Sequence, residues 1–195
     1  MRARYEAYCD ASRVTSIIAT GQLGDHCIRQ MVIDARPDEI IGRKSKPLAS
    51  DVFSKYLPGV HIWNIDTESQ FRLQKKYFGV AAYIGLVNSP KISKKVFRIG
   101  RWLFGRGEIF GCSTGLWSVV YALEENPEAT VYVSGVGLQG GSHWYRDGVF
   151  NDDTAMKDRI LAPRLPEREK RRVKTTDSVF SELVGVELVE GFVLD

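Results

Sequence analysis

Residues 111–147, GCSTGLWSVVYALEENPEATVYVSGVGLQGGSHWYRD, concentrate the side chains and turns that could do chemistry. Ser113-Thr114-Gly115 is a small-residue turn at the head of a helical stretch. Such a turn presents backbone N–H groups at the positive end of a helix dipole, where a phosphate or carboxylate can be held. The same residues also read as an ordinary N-cap by Ser113, with Gly115 in the first helical turn. Further on, Gly135, Gly137, Gly140 and Gly141 follow an apolar, β-branched stretch. Glycines at such a place let backbone approach a planar ring or a sugar closely, and a flexible surface loop is the plainer alternative. His143 comes next, beside Trp144-Tyr145. Imidazole is the side chain whose ordinary pKa suits proton transfer near neutral pH, which makes His143 the candidate catalytic group. His26 and His61 are weaker candidates, one on a helix and one alternating along a strand.

Metal chemistry has little to stand on. Cys9, Cys27 and Cys112 have no zinc-ligand spacing, and no Asp-x-Asp is present to hold a divalent ion against a diphosphate. Asp152-Asp153 reads as a turn or helix cap. The turn Gly21-Gln22-Leu23-Gly24 is too short for a dinucleotide fingerprint, and no Walker lysine follows it.

Elements must position these residues. Residues 14–19 (VTSIIA) predict a strand running into the glycine turn at 20–24. Ile28, Met31 and Val32 at helical spacing predict a helix over 26–35, ended by Pro37. A short second strand is expected over 39–41, bounded by Gly42 and the basic cluster Arg43, Lys44 and Lys46. A short helix over 51–56 stops at Pro58-Gly59, a strand covers 60–65, and a helix covers 70–78. The apolar run 80–87 is too short to assign. Residues 91–106 are basic, with Phe97, Trp102 and Phe104 interleaved. Within them, 98–106 (RIGRWLFGR) reads equally as a strip that docks on phosphate, lipid or glycan and as a solvated face with its aromatics in the core. A helix over 114–125 is closed by Asn126-Pro127, and 129–133 is the clearest strand. Helices over 156–161, 167–174 and 177–183 and a strand over 186–189 complete the pattern. Strands alternating with helices predict an α/β domain, Rossmann-like and three-layered, with a mainly parallel sheet. The loops after Ala19, Ile65 and Val133 would then share its ligand-binding carboxyl edge.

At 195 residues the chain suits one sizeable domain, residues 1–195. With 44% hydrophobic and 26% charged residues it has the composition of an ordinary globular protein. A net charge of +3, from 27 basic and 24 acidic residues, is too balanced to argue for nucleic acid. Local basic clusters allow peripheral contact with a membrane. No apolar run approaches the roughly 18–20 residues that cross a bilayer. The opening MRARYEAYCDAS lacks the apolar core of a secretory signal, and an odd cysteine count reads as reduced thiols, so a cytoplasmic location is expected.

In this order the pieces resemble the eukaryotic-type sialyltransferases and their bacterial relatives. The likeness lies in Cys112-Ser113-Thr114-Gly115, the stretch at 131–134, Gly135, and His143-Trp144-Tyr145-Arg146-Asp147, about one fifth of the chain. A weaker likeness lies in Ile17-Ile18-Ala19-Thr20-Gly21-Gln22 and in Ile33-Asp34 with Asp38-Glu39-Ile40-Ile41-Gly42-Arg43. The asparagines that the family places near the nucleotide phosphate are absent there, and Gln22 and Arg43 are the candidates to replace them. The resemblance implies a glycosyltransferase variant of the Rossmann-like fold. It would move sialic acid or Kdo from a CMP-activated donor to a glycan or lipid-linked acceptor, with no metal or other cofactor. His143 would be general base on the acceptor hydroxyl or assist the departing phosphate. Ser113, Thr114 and Gly115 would hold the donor carboxylate or phosphate, and Gly135 and Gly137 would lie against cytidine. Gly21, Gln22, Trp144 and Tyr145 would complete the donor site. Two alternatives stand beside this: a nucleotide-sugar-binding module without turnover, and another Rossmann-like enzyme, such as a methyltransferase, built on the turn at 20–24.

Overall fold

The computed structural model describes residues 14–19, 26–43, 53, 55–84, 96, 99–100, 111–136, 138 and 152–189. The chain divides into two compact units, Met1–Gln70 and Phe71–Asp195, each built on its own small parallel sheet. It is an α/β protein.

The first unit contains β1 (Thr15–Ala19), α1 (His26–Ala35), β2 (Glu39–Arg43) and β3 (His61–Ile65). The strands lie parallel in the order β1-β2-β3, with Thr15, Glu39 and His61 in register at one edge and Ala19, Arg43 and Ile65 at the other. The central strand is buried along its whole length. That burial explains why β2 continues past Ile41, where the sequence had suggested a stop: Gly42 and Arg43 pair on both sides and complete the ladder. Helix α1 ends as expected. Arg36 takes a left-handed φ of 45°, its N–H reaches back to the Ile33 carbonyl at 3.1 Å, and Pro37 cannot continue a helix. Ile18, Val32, Ile40, Phe53 and Leu57 form the core, with Ile33, Val60 and Ile62 packed on it. Each such large side chain contributes about 1.5–3 kcal/mol by leaving water. Of the helix expected over 51–56, residues 53, 55 and 56 are described: Phe53 is helical, and Lys55 and Tyr56 lie in a turn.

Helix α2 (Thr67–Phe78) begins three residues before the expected start at Gln70. Asp66 is the reason. Its carboxylate accepts the Ser69 N–H at 2.8 Å, and its carbonyl accepts the Gln70 N–H at 3.0 Å. Hydrogen bonds from Ser69 hold the Asp66 carboxyl below its ordinary pKa. A 3-10 turn, Gly79–Tyr83, follows and accounts for the start of the unassigned apolar run.

The second unit also contains α3 (Thr114–Glu125), β4 (Val131–Val133), α4 (Asp152–Leu161), α5 (Glu167–Lys170), β5 (Val173–Thr175), α6 (Ser178–Val184) and β6 (Glu187–Leu188). Its strands are parallel in the order β4-β5-β6. Strand β5 replaces the end of the helix expected over 167–174: Val173 and Thr175 are fully buried, and Lys174 between them is half-buried, the alternation of a strand. Helix α3 packs against β4, and α6 packs against β5 and β6. Leu116, Trp117, Val119, Val120 and Leu123 lie on one face of α3 and bury it in the core. At its C-terminus, Arg172 donates to the Asn126 carbonyl and, at 3.5 Å, to the Leu123 carbonyl, while ion-pairing with Glu169 at 2.5 Å. A cation there complements the negative end of the helix dipole.

Having two sheets changes one expectation. Ala19 and Ile65 end their strands at the same sheet edge, whereas Val133 ends a strand of the second sheet. Among the described residues, no helix is long and apolar enough to cross a membrane.

Candidate functional site

The head of α3 is built from four segments of the second unit. Ser113 is the N-cap, in extended conformation, and its Oγ accepts the Leu116 N–H at 3.0 Å. Its own N–H donates to Asp158 Oδ1 at 2.8 Å. Asp158 lies on α4 and is only 2% exposed, so a buried carboxylate faces the positive end of α3. The chain enters this turn over Gln74, a buried amide on α2. Gln74 Nε2 donates to the Ala82 carbonyl at 2.8 Å, and its Oε1 accepts the Gly111 N–H at 3.3 Å and the Cys112 N–H at 3.4 Å. The Cys112 thiol donates to the same oxygen at 3.3 Å. A Cβ at Gly111 would lie 2.4 Å from Gln74 Nε2 and 3.0 Å from the Ala82 carbonyl, so any larger residue has to displace a neighbour.

The exit from β4 is the second part. Thr175 Oγ1 donates to the Val133 carbonyl at 2.8 Å, holding the end of β4 to its neighbour. Gly135 then turns the chain with a left-handed φ of 72°, a conformation that costs other residues energy. Val136 comes to rest against Gly115, where a methyl group would lie 3.5 Å from Val136 Cγ2. Leu138 is buried, and its carbonyl accepts from Arg159 Nε. The Ser113-Thr114-Gly115 turn and the start of the glycine loop are therefore neighbours in space.

Of the residues singled out in the sequence, Ser113, Thr114, Gly115 and Gly135 are thus brought together. Gly21, Gln22, Gly137, His143, Trp144 and Tyr145 lie outside the described residues. Arg43 ends β2 with its side chain buried. His26 opens α1 and is exposed. His61 lies at the sheet's amino edge, its Nδ1 3.4 Å from Glu39 Oε1, an oxygen that also accepts from Trp63 Nε1 at 2.8 Å. Among the described residues, no group of three or more His, Cys, Asp or Glu side chains is placed to hold a metal ion.

Asp158 and Arg159 were not singled out from the sequence. Asp158 reads locally as one more charge on a polar helix, and its partner is 45 residues away. Gly111-Cys112-Ser113-Thr114-Gly115 also fits the Gly-x-Ser-x-Gly spacing of hydrolase nucleophile turns. The geometry speaks against that use. Ser113 has φ −62° and ψ 169°, ordinary extended backbone rather than a strained elbow, and its Oγ is engaged as a helix cap.

Comparison with known families, characterised proteins and solved structures finds no match for the chain.

Proposed function

We propose that the chain is a metal-independent transferase that takes a sugar such as sialic acid or Kdo from a CMP donor. The acceptor is a glycan or glycolipid hydroxyl, met in the cytoplasm or at its membrane surface. The observation that carries the reading is the contact between Gly115 and Val136, which joins the Ser-Thr-Gly turn to the loop after β4. A Rossmann-like three-layer arrangement of the α/β elements is part of the same proposal.

In this reading the acceptor oxygen attacks the anomeric carbon of the donor sugar. His143 takes the hydroxyl proton, and the electron pair of the breaking C–O bond leaves on the CMP phosphate. A monophosphate carries less charge than a diphosphate, so helix-terminal N–H groups and basic side chains can stabilise it without a metal. Because Ser113 already uses both its N–H and its Oγ within the protein, its share of the phosphate is assigned to the Gly115 backbone.

A second reading has one observation in its favour. The Asp158 carboxyl faces the head of α3 and accepts the Ser113 N–H, filling the place where an anion would complement the dipole. On that basis the turn is a structural cap, and the chain binds a nucleotide sugar weakly or not at all. Thermal shift with CMP, S-adenosylmethionine and NAD separates the possibilities. The transferase reading expects CMP alone to raise the melting temperature, by an amount that grows with concentration above the dissociation constant. Stabilisation by an adenine cofactor without CMP would replace it with a different Rossmann-like enzyme.

A further inference from the structure

Two consecutive residues of α4 hold two separate loops. Asp158 accepts from the backbone of Ser113 before α3, and Arg159 donates to the backbone of Leu138 after β4. Neighbouring residues on a helix project about 100° apart, so one turn of α4 can reach in both directions. The helix is itself well anchored. It runs into the 3-10 turn Ala162–Arg164, which packs on α6, and Leu161, Ala162 and Leu165 are buried around that junction.

We infer that Asp158 and Arg159 are a paired positioning device that sets the spacing of the Ser113 turn and the loop after β4. Both grips are on backbone, so they fix where the loops lie whatever their side chains do. Arg159 is a cation, which makes its hydrogen bond shorter and stronger than a neutral one. Asp158 is buried, so losing its oxygen takes the acceptor of the part-buried Ser113 N–H away. Movement of α4 would carry both loops together. For its effect on ligand binding, the inference rests on the nucleotide-site reading above; the grip itself rests on the two contacts alone.

Amide hydrogen exchange on the full chain tests the grip, using Asp158→Leu, Asp158→Asn and Arg159→Met. Asp158→Leu keeps the size but loses the acceptor, and should speed exchange at the Ser113 amide by about tenfold or more. Asp158→Asn keeps an oxygen in place and should restore most of the protection. Arg159→Met should speed exchange over residues 134–138. In both loop-loosened variants, amides of α6 should stay as slow as in the parent chain. Unchanged exchange at both loops, or an equal acceleration at α6, would overturn the inference. If Asp158→Leu does not fold, Asp158→Asn against Arg159→Met decides between the same outcomes. CMP affinity is read in parallel. Weaker binding in the loosened variants ties the grip to the site. A parent chain that ignores CMP, with the exchange pattern as expected, removes the nucleotide reading and leaves the grip standing.

Discussion

Gly115, in the first turn of α3, faces Val136 just beyond β4, with room for a methyl group at ordinary contact distance, 3.5 Å. The absent side chain is thus a matter of clearance rather than of backbone strain. Gly115→Ala should therefore be tolerated and should stabilise by up to about 1 kcal/mol, the helix-propensity difference between the two residues. Gly115→Leu has to push Val136 away, and should lower the urea midpoint and weaken CMP binding. Equal CMP affinity in both variants would dissociate this contact from the ligand site.

Gly111 and Gln74 should be energetically coupled. A Cβ at Gly111 would lie 2.4 Å from Gln74 Nε2 and 3.0 Å from the Ala82 carbonyl, one a movable side chain and the other backbone. Gly111→Ala should cost about 1–3 kcal/mol by overpacking. In a Gln74→Ala background the same change should cost less, because the closer clash is gone. A double-mutant cycle in urea measures the difference, and strict additivity would contradict the packing described.

Tyr77 and Glu124 set a pH window for stability. The Tyr77 hydroxyl donates to Glu124 Oε2 at 3.0 Å, and Lys76 Nζ lies 2.6 Å from the same oxygen. Burial, with the hydrogen bond to Glu124, raises the Tyr77 pKa well above its ordinary value. The contact with Lys76, helped by Tyr77, lowers that of Glu124. The raised phenol contributes stability that is complete below about pH 10 and is lost as pH rises beyond it. The lowered carboxyl contributes stability above about pH 4.3 that is lost as pH falls. Tyr77→Phe should flatten the alkaline limb, and Glu124→Gln the acid limb. Glu124 and Lys76 are 35% and 62% exposed, so the acid effect should stay under about 1 kcal/mol and shrink with salt. Chemical denaturation across pH reads both limbs, and unchanged limbs would contradict the assignment.

Asp177 caps α6 by accepting the Val179 N–H at 2.9 Å and the Phe180 N–H at 3.1 Å. Gly185 closes the other end with a left-handed φ of 76°. Asp177→Ala should cost about 1 kcal/mol, and Asp177→Ser much less, since serine can still cap. Equal losses in the two variants would mean that capping is not what Asp177 contributes.

Much of the frame was legible because single local signals dominate it. The VTSIIA run gives β1, and the Asn126-Pro127 stop gives the end of α3. What escaped depends on competition or on distance. The charged EREKRR stretch favours helix strongly enough to hide the three-residue β5, whose alternation of Val173, Lys174 and Thr175 was its only local sign. Asp66 hid the true start of α2 because a capping aspartate reads like any polar loop residue. The turn at Ser113 was legible from its small residues and the helix behind it. Asp158 and Arg159 were not, because what matters about each is a contact to distant backbone, which leaves no periodicity in the sequence.

The central claim is transfer from a CMP-activated sugar, and the most direct measurement is CMP release from CMP-sialic acid and CMP-Kdo by the parent chain and by His143→Ala. The account predicts release from at least one donor, without added metal, and a loss of about a hundredfold or more when the general base is removed. No release from either donor, or release undiminished by His143→Ala, would contradict it.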